Sequence, residues 1–199
     1  PSTFDELANV TLDDTKIEVR QAAVKALGAS RHPAAIPFLL EALRDSFWWF
    51  EREQATQDLL TAIENMGEPV VEPLIGVLGD REKTVRKFAI TMLGNLRDPR
   101  AMDEIGMALY DLNHEVSEAA ALALAQFGAP AIDVLAEALT HPEAAVREHA
   151  ILGLGKIQEQ RVMAYLIEML HDPDSGVKRQ AITSLGHRRD ASALPALQE

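Results

Sequence analysis

No cysteine occurs among the 199 residues, which removes disulfides, thiolate nucleophiles and cysteine-ligated zinc or iron–sulfur sites from the chemistry this chain can carry alone. Aromatic residues are also scarce, at 5% of the chain against 47% hydrophobic overall. Strands favour aromatic and β-branched residues, whereas an Ala- and Leu-rich composition favours helix. The fold class expected is therefore all-α. No apolar run approaches the length of a membrane span. Pro1–Glu6 has neither the basic region nor the apolar core of a signal peptide, so a cytoplasmic protein without membrane insertion is expected. Positive charge is short as well: 19 Lys and Arg stand against 31 Asp and Glu, a net charge of −12. That balance lacks the basic footprint of a nucleic-acid binder and suits partners with a basic patch. A phosphate-cradling loop is missing too, because Gly153-Leu154-Gly155 reads as a helix end that follows no strand.

What is present is a repeat. Val85-Arg86-Lys87-Phe88-Ala89-Ile90-Thr91-Met92-Leu93-Gly94 recurs in outline from Val19, Val146 and Val177, each followed by Arg20, Arg147 or Lys178 and closed by Leu-Gly nine residues on. Phe50 and Val116 read as openers of two variants, in which Glu51 and Ser117 replace the basic residue. Openers at 19, 50, 85, 116, 146 and 177 lie 31, 35, 31, 30 and 31 residues apart, a fixed-period self-similarity that marks a solenoid. Each unit reads as two helices. The first inner helix is expected over about 17–27 with Gly28 as its left-handed stop, and Pro33 opens the outer helix that follows. The variant from Phe50 is expected to run to Gly67 and to project about two turns beyond its neighbours. Asp14, Asp45, Asp80, Asp111 and Asp172, with His141 in one unit, each precede an opener by five residues. They are expected to accept from turn amides, and the basic residue after each opener to reach the neighbouring unit's Asp. One domain, 1–199, follows. Its start without Met and its end at Ala196–Glu199, inside what reads as a new helix, suggest a trimmed chain lacking a terminal cap.

The units Val-Arg-x-x-Ala-x-x-x-Leu-Gly followed by Asp/His-Pro-x-Ala-Ile/Met-x-x-Leu, as in Val85–Leu109 and Val19–Leu40, resemble the HEAT-like repeats of the phycobilisome lyase family. The resemblance covers essentially the whole chain. It implies a right-handed α-α superhelix of about six helical-hairpin repeats. It also implies a cyanobacterial setting, with a protein partner that is either an iron–sulfur or iron-handling scaffold protein or a phycobiliprotein. The relative that partners an A-type iron–sulfur scaffold protein is favoured by Phe47-Trp48-Trp49-Phe50 and by the alternating repeat lengths. Because the family also contains phycobilin lyases, attachment or removal of a linear tetrapyrrole such as phycocyanobilin is the enzymatic alternative.

No catalytic residue, metal ligand or cofactor is expected. HEAT-type hydroxylases hold two irons with about four converging His-Glu pairs, but here His114-Glu115 and Glu148-His149 fall in different registers. The remaining histidines read as surface or capping groups. Partner contact is expected on the concave inner-helix face, through Trp48, Trp49, Phe50, Glu51, Arg52, Arg86, Ser117, Arg147 and Lys178, where the template fails or presents charge. Consecutive aromatics cannot all face one side of a helix, and Trp and Arg are enriched in interface hot spots. The competing reading is that the aromatics fill a gap beside a longer helix. Lys178-Arg179 with His187-Arg188-Arg189 forms the one local basic cluster.

Overall fold

A computed structural model describes residues 3–45 and 53–188. Among these residues twelve α-helices occur and no strand. Long helices alternate with shorter ones: α1 (Thr3–Asp13), α2 (Ile17–Ser30), α3 (Ile36–Arg44), α4 (Glu53–Glu64), α5 (Val71–Ile75), α6 (Lys83–Leu96), α7 (Met102–Ala108), α8 (His114–Phe127), α9 (Ile132–Ala138), α10 (Ala144–Lys156), α11 (Val162–Glu168) and α12 (Ser175–Arg188). The expected all-α hairpin repeats are what the chain forms. Contacts between Cα atoms divide it into two compact units, residues 1–92 and 93–199. In the first, α2 packs on both α1 and α4; in the second, α10 packs on both α8 and α12.

Local chemistry sets the hairpins. The Asp or His ahead of α2, α6, α8, α10 and α12 accepts a hydrogen bond from the amide two residues on. Lys16 N lies 2.8 Å from Asp14, Glu82 N 3.0 Å from Asp80, Asn113 N 2.8 Å from Asp111, Glu143 N 3.2 Å from His141 Nδ1, and Asp174 N 2.8 Å from Asp172. These bonds tighten the turn and orient the first amides of the next helix. Four of the short helices are entered through a 3-10 turn with proline in its first two positions (Pro33, Pro69, Pro99, Pro130), where a missing N–H costs nothing.

Two expectations are corrected. Gly28 and Gly94 do not stop their helices, which run on to Ser30 and Leu96; the left-handed residues are Arg31 (φ 50) and Arg97 (φ 52). The glycines instead allow neighbouring helices to touch. A Cβ on Gly28 would lie 2.6 Å from Ala62 Cα, and one on Gly94 2.7 Å from Ala123 Cβ, closer than real Cβ atoms come. Only Gly67 (φ 67) and Gly128 (φ 69), in the two variants, take a conformation that needs glycine.

The second correction concerns register. Val85/Ala89/Leu93, Val116/Ala120/Leu124, Val146/Ala150/Leu154 and Val177/Ala181/Leu185 are each at most 5% exposed. The triad with this spacing in α4 is Ala55/Leu59/Ile63, at most 2% exposed, and Ala62 meets Gly28 as Ala123 meets Gly94. Ala55, not Phe50, therefore opens the second unit. The intervals become 36, 30, 31, 30 and 31 residues, from openers 19, 55, 85, 116, 146 and 177. Asp45 precedes its opener by ten residues where the others precede theirs by five, so five extra residues sit between Asp45 and Ala55. The residue after the opener is then Thr56 rather than Glu51, which with Ser117 gives two hydroxyls in place of a cation. From opener to closing glycine the first five units then measure 9, 12, 9, 12 and 9 residues, so short and long units still alternate. The expected projection of α4 ahead of Glu53 falls outside the described residues.

Candidate functional site

Two of the basic residues after the openers, Arg20 and Arg147, face between repeats. Arg147 is 9% exposed. Its guanidinium meets the Asp172 carboxylate through two parallel bonds of 2.8 Å, and also donates to the carbonyls of His141 and Pro142. Arg20, 4% exposed, donates to the Asp45 carboxylate and to the Thr11 carbonyl. Both acids lie 25 residues after their arginine, so each of these two pairs forms a rung of the ladder between repeats. Arg147 is the largest influence holding the Asp172 carboxyl below the ordinary carboxylate range. Arg86, half-buried, donates to the Asp80 and Arg81 carbonyls.

Where a hydroxyl replaces the arginine, the acid has a different arrangement. Asp80, which follows Thr56 by 24 residues, is taken by Arg44 at 2.8 Å. Ser117 is followed at the same distance by His141, so cation and acid are both absent from that step. Buried Ser117 (3% exposed) bonds the His114 carbonyl at 3.2 Å and lies 3.0 Å from His149 Nδ1. The His114 and His149 rings stand edge to face, 6.0 Å between centroids. Sequence register separates these two histidines; helix packing brings them together. Burial is the first cause that pushes His149 below its ordinary value, with His114 adding to it and Glu118 and Glu148 opposing. Its folded-state affinity for a proton is thus lower than in the unfolded chain. Its contribution to stability is complete above about pH 6.5 and is lost as the pH drops through the folded-state value. Between pH 7.5 and 5.5 the melting temperature of H149Q should decline less than that of the parent, measured by circular dichroism; equal declines would show that His149 is not the group responsible.

No cluster of three or more His, Asp or Glu able to hold a metal occurs among the described residues. A groove of about 370 Å³ between α10 and α12 carries Lys156 and His187 over Gly155 and Ser184. Among the described residues no hydrogen bond joins His187 to the hydroxyls there: Thr183 donates to the Arg179 carbonyl and Ser184 to that of Ile151. Of the other residues expected to meet a partner, Lys178 is half-exposed, and Trp48, Trp49, Phe50, Glu51 and Arg52 lie outside the described residues. In the basic cluster, Arg188 donates to the carbonyls of Ile157 and Glu159. No helix among the described residues is long and apolar enough to cross a membrane.

Three side chains escape sequence reasoning. Met107, Tyr110 and Leu112 are 69%, 39% and 98% exposed, in α7 and the turn after it. The signal that could find them is alignment of the chain on itself, which puts Glu137, Thr140 and Pro142 at the same three positions one repeat later.

A family model of HEAT repeats matches residues 1–60, 71–143 and 132–199. The chain belongs to the HEAT-repeat family. Among solved structures, this HEAT chain is similar to one in the complex of CpcE and CpcF of phycocyanin lyase from Nostoc sp. PCC7120. The two are 25% identical, with a TM-score of 0.59, over 77% of this chain and 99% of that one. It also shares its fold with Escherichia coli YibA (21% identity, TM-score 0.53, 97% of this chain and 73% of that one) and Kap121p (15%, 0.59, 93% and 25%). No curated protein matches the chain.

Proposed function

We propose that this HEAT solenoid is a non-catalytic, cytoplasmic protein-binding scaffold, one continuous repeat domain whose client is a phycobiliprotein or an iron–sulfur or iron-handling scaffold protein. One observation carries the reading: the likeness to a chain of the CpcE–CpcF complex of phycocyanin lyase extends over 99% of that chain. Preformed stacks of helix pairs suit protein clients because the ordering cost of the surface is met in folding. In this reading Trp48, Trp49, Phe50, Glu51, Arg52 and Lys178 contact the client. Arg86 joins them in this reading, whereas Ser117 and Arg147, 3% and 9% exposed, act through the helices α8 and α10 that they hold. The same likeness favours a second reading, a phycobilin lyase subunit, which requires a bilin.

Titration calorimetry with an apo-phycobiliprotein, and separately with an A-type iron–sulfur scaffold protein, tests the proposal. Micromolar binding to one of them is expected, with no change in phycocyanobilin absorbance when the pigment is added. Binding to neither would overturn the scaffold reading. A bilin spectral shift that persists into a covalent adduct on the apo-protein would replace it with the lyase reading.

A further inference from the structure

The second compact unit carries an apolar surface that the repeat template does not require. Leu112 is 98% exposed at the apex of the α7–α8 turn, where the sequence of the other units holds Thr15, Ser46, Arg81, Pro142 and Pro173. Met107, 69% exposed, stands where later units hold Glu137 and Glu168. Tyr110 lies one helical turn beyond Met107 and tilts against His141, 5.2 Å between ring centroids. Single exposed apolar residues need no explanation, but three together, each polar or proline in the units that follow, form a patch. Packing does not account for it, since a fully exposed leucine contributes nothing to a core.

The surroundings say what kind of surface would cover it. From Ala101 to Val146 the chain contains no Lys or Arg and eight carboxylates: Asp103, Glu104, Asp111, Glu115, Glu118, Asp133, Glu137 and Glu143. Asp103 and Glu104, both exposed, precede Met107 by four and three residues, which places them beside it on α7. Glu137 is close enough to Tyr110 to oppose ionisation of its hydroxyl, second to burial. Asp103, Glu104 and Glu137 thus give the apolar centre an acidic rim, while Asp133 is paired with Arg161.

We propose that Met107, Tyr110 and Leu112 form a docking surface for a basic protein segment that presents apolar side chains flanked by Lys or Arg. An acidic rim steers such a segment and rejects acidic ones, while the apolar centre supplies affinity. Anionic membranes are repelled by the same carboxylates. The surface belongs to the short-helix side and its turn, so it goes beyond the client-binding reading and does not depend on it.

The test uses the full chain with a fluorescein-labelled 16-residue amphipathic peptide of Leu and Lys at helical spacing. Its partner in the experiment is the same peptide with Glu for Lys. The methionines carry 13C-methyl labels. The Lys peptide should bind by fluorescence anisotropy, weaken with salt, and shift the Met107 methyl resonance. The doubly substituted M107Q/L112S protein should bind it about tenfold or more weakly, with unchanged thermal unfolding because neither side chain is in the core. Equal binding of the Glu peptide, an unmoved Met107 signal, or full affinity in the double variant would each overturn the proposal. So would concentration-dependent dimerisation in sedimentation that L112S abolishes, because the occupant would then be a second copy. Binding of phosphatidylserine vesicles through Leu112 would overturn it as well. A failed calorimetric titration with phycobiliprotein would leave these readouts untouched, so the two ideas fail separately.

Discussion

Substitution of Arg147 by methionine should lower the unfolding free energy by about 3–5 kcal/mol, the cost of leaving a buried charge without its partner. Arg147 and Asp172 are the most enclosed ion pair described, with side chains 11% and 5% exposed. Of its hydrogen bonds described above, the carboxylate would keep the one from the turn amide of Asp174. Urea unfolding followed by circular dichroism measures the effect. R147M/D172N should recover a good part of the loss, since removing both charges also removes the desolvation penalty; a double variant as unstable as the sum of the singles would refute the coupling.

The same pair fixes a pH dependence. Arg147 holds the folded-state value of Asp172 below the 3.8 of a free carboxyl. The pair's contribution is accordingly complete above about pH 4 and lost as the pH falls through that lower value. R147M should therefore unfold at a higher pH than the parent on acidification.

The second large effect is at Gly94. Valine there should destabilise the protein by about 3 kcal/mol, although helix propensity alone favours valine over a mid-helix glycine by about 0.3 kcal/mol. Sterics decide, because the new Cβ would fall 2.7 Å from Ala123 Cβ and 2.8 Å from its Cα. Ala123→Gly should return part of the loss. Gly186 holds the same template position in α12, where a Cβ would meet nothing within 4 Å among the described residues, so Gly186→Ala should raise stability by about 0.5–1 kcal/mol. Destabilisation by both substitutions would show that the glycines matter for backbone freedom and not for helix contact.

These glycines show how far the sequence is legible. Helix type, hairpin order and the burial of Val, Ala and Leu at intervals of four in the last four units can be read from period alone, since a repeat states each rule several times; Val19 of the first unit, 37% exposed, departs from it. The aspartates are readable as turn acceptors for the same reason. Leu-Gly imitates a helix stop because a glycine's local preference and its tertiary use look identical in one chain; only the neighbouring helix, with Ala62 or Ala123 facing it, separates them. Phe50 imitates an opener because it is apolar and close to the right interval. The five-residue excess beside it becomes visible once Ala55, Leu59 and Ile63 are seen to be buried. The pairing of Ser117 with His149 has no readable signal, as it depends on packing between two helices that place these residues at non-equivalent positions of the repeat.

The ladder also carries a timetable. Arg147 meets its carboxylate 25 residues further along, and a ribosome adding about 5–20 residues per second leaves that charge waiting roughly 1–5 s for Asp172 to be made. Each repeat of this kind is completed by the next one to emerge. The growing tip of the nascent solenoid is thus its most vulnerable point, and the repeat at Ser117, which needs no distant acid, is one step at which synthesis can pause without leaving a buried cation unanswered.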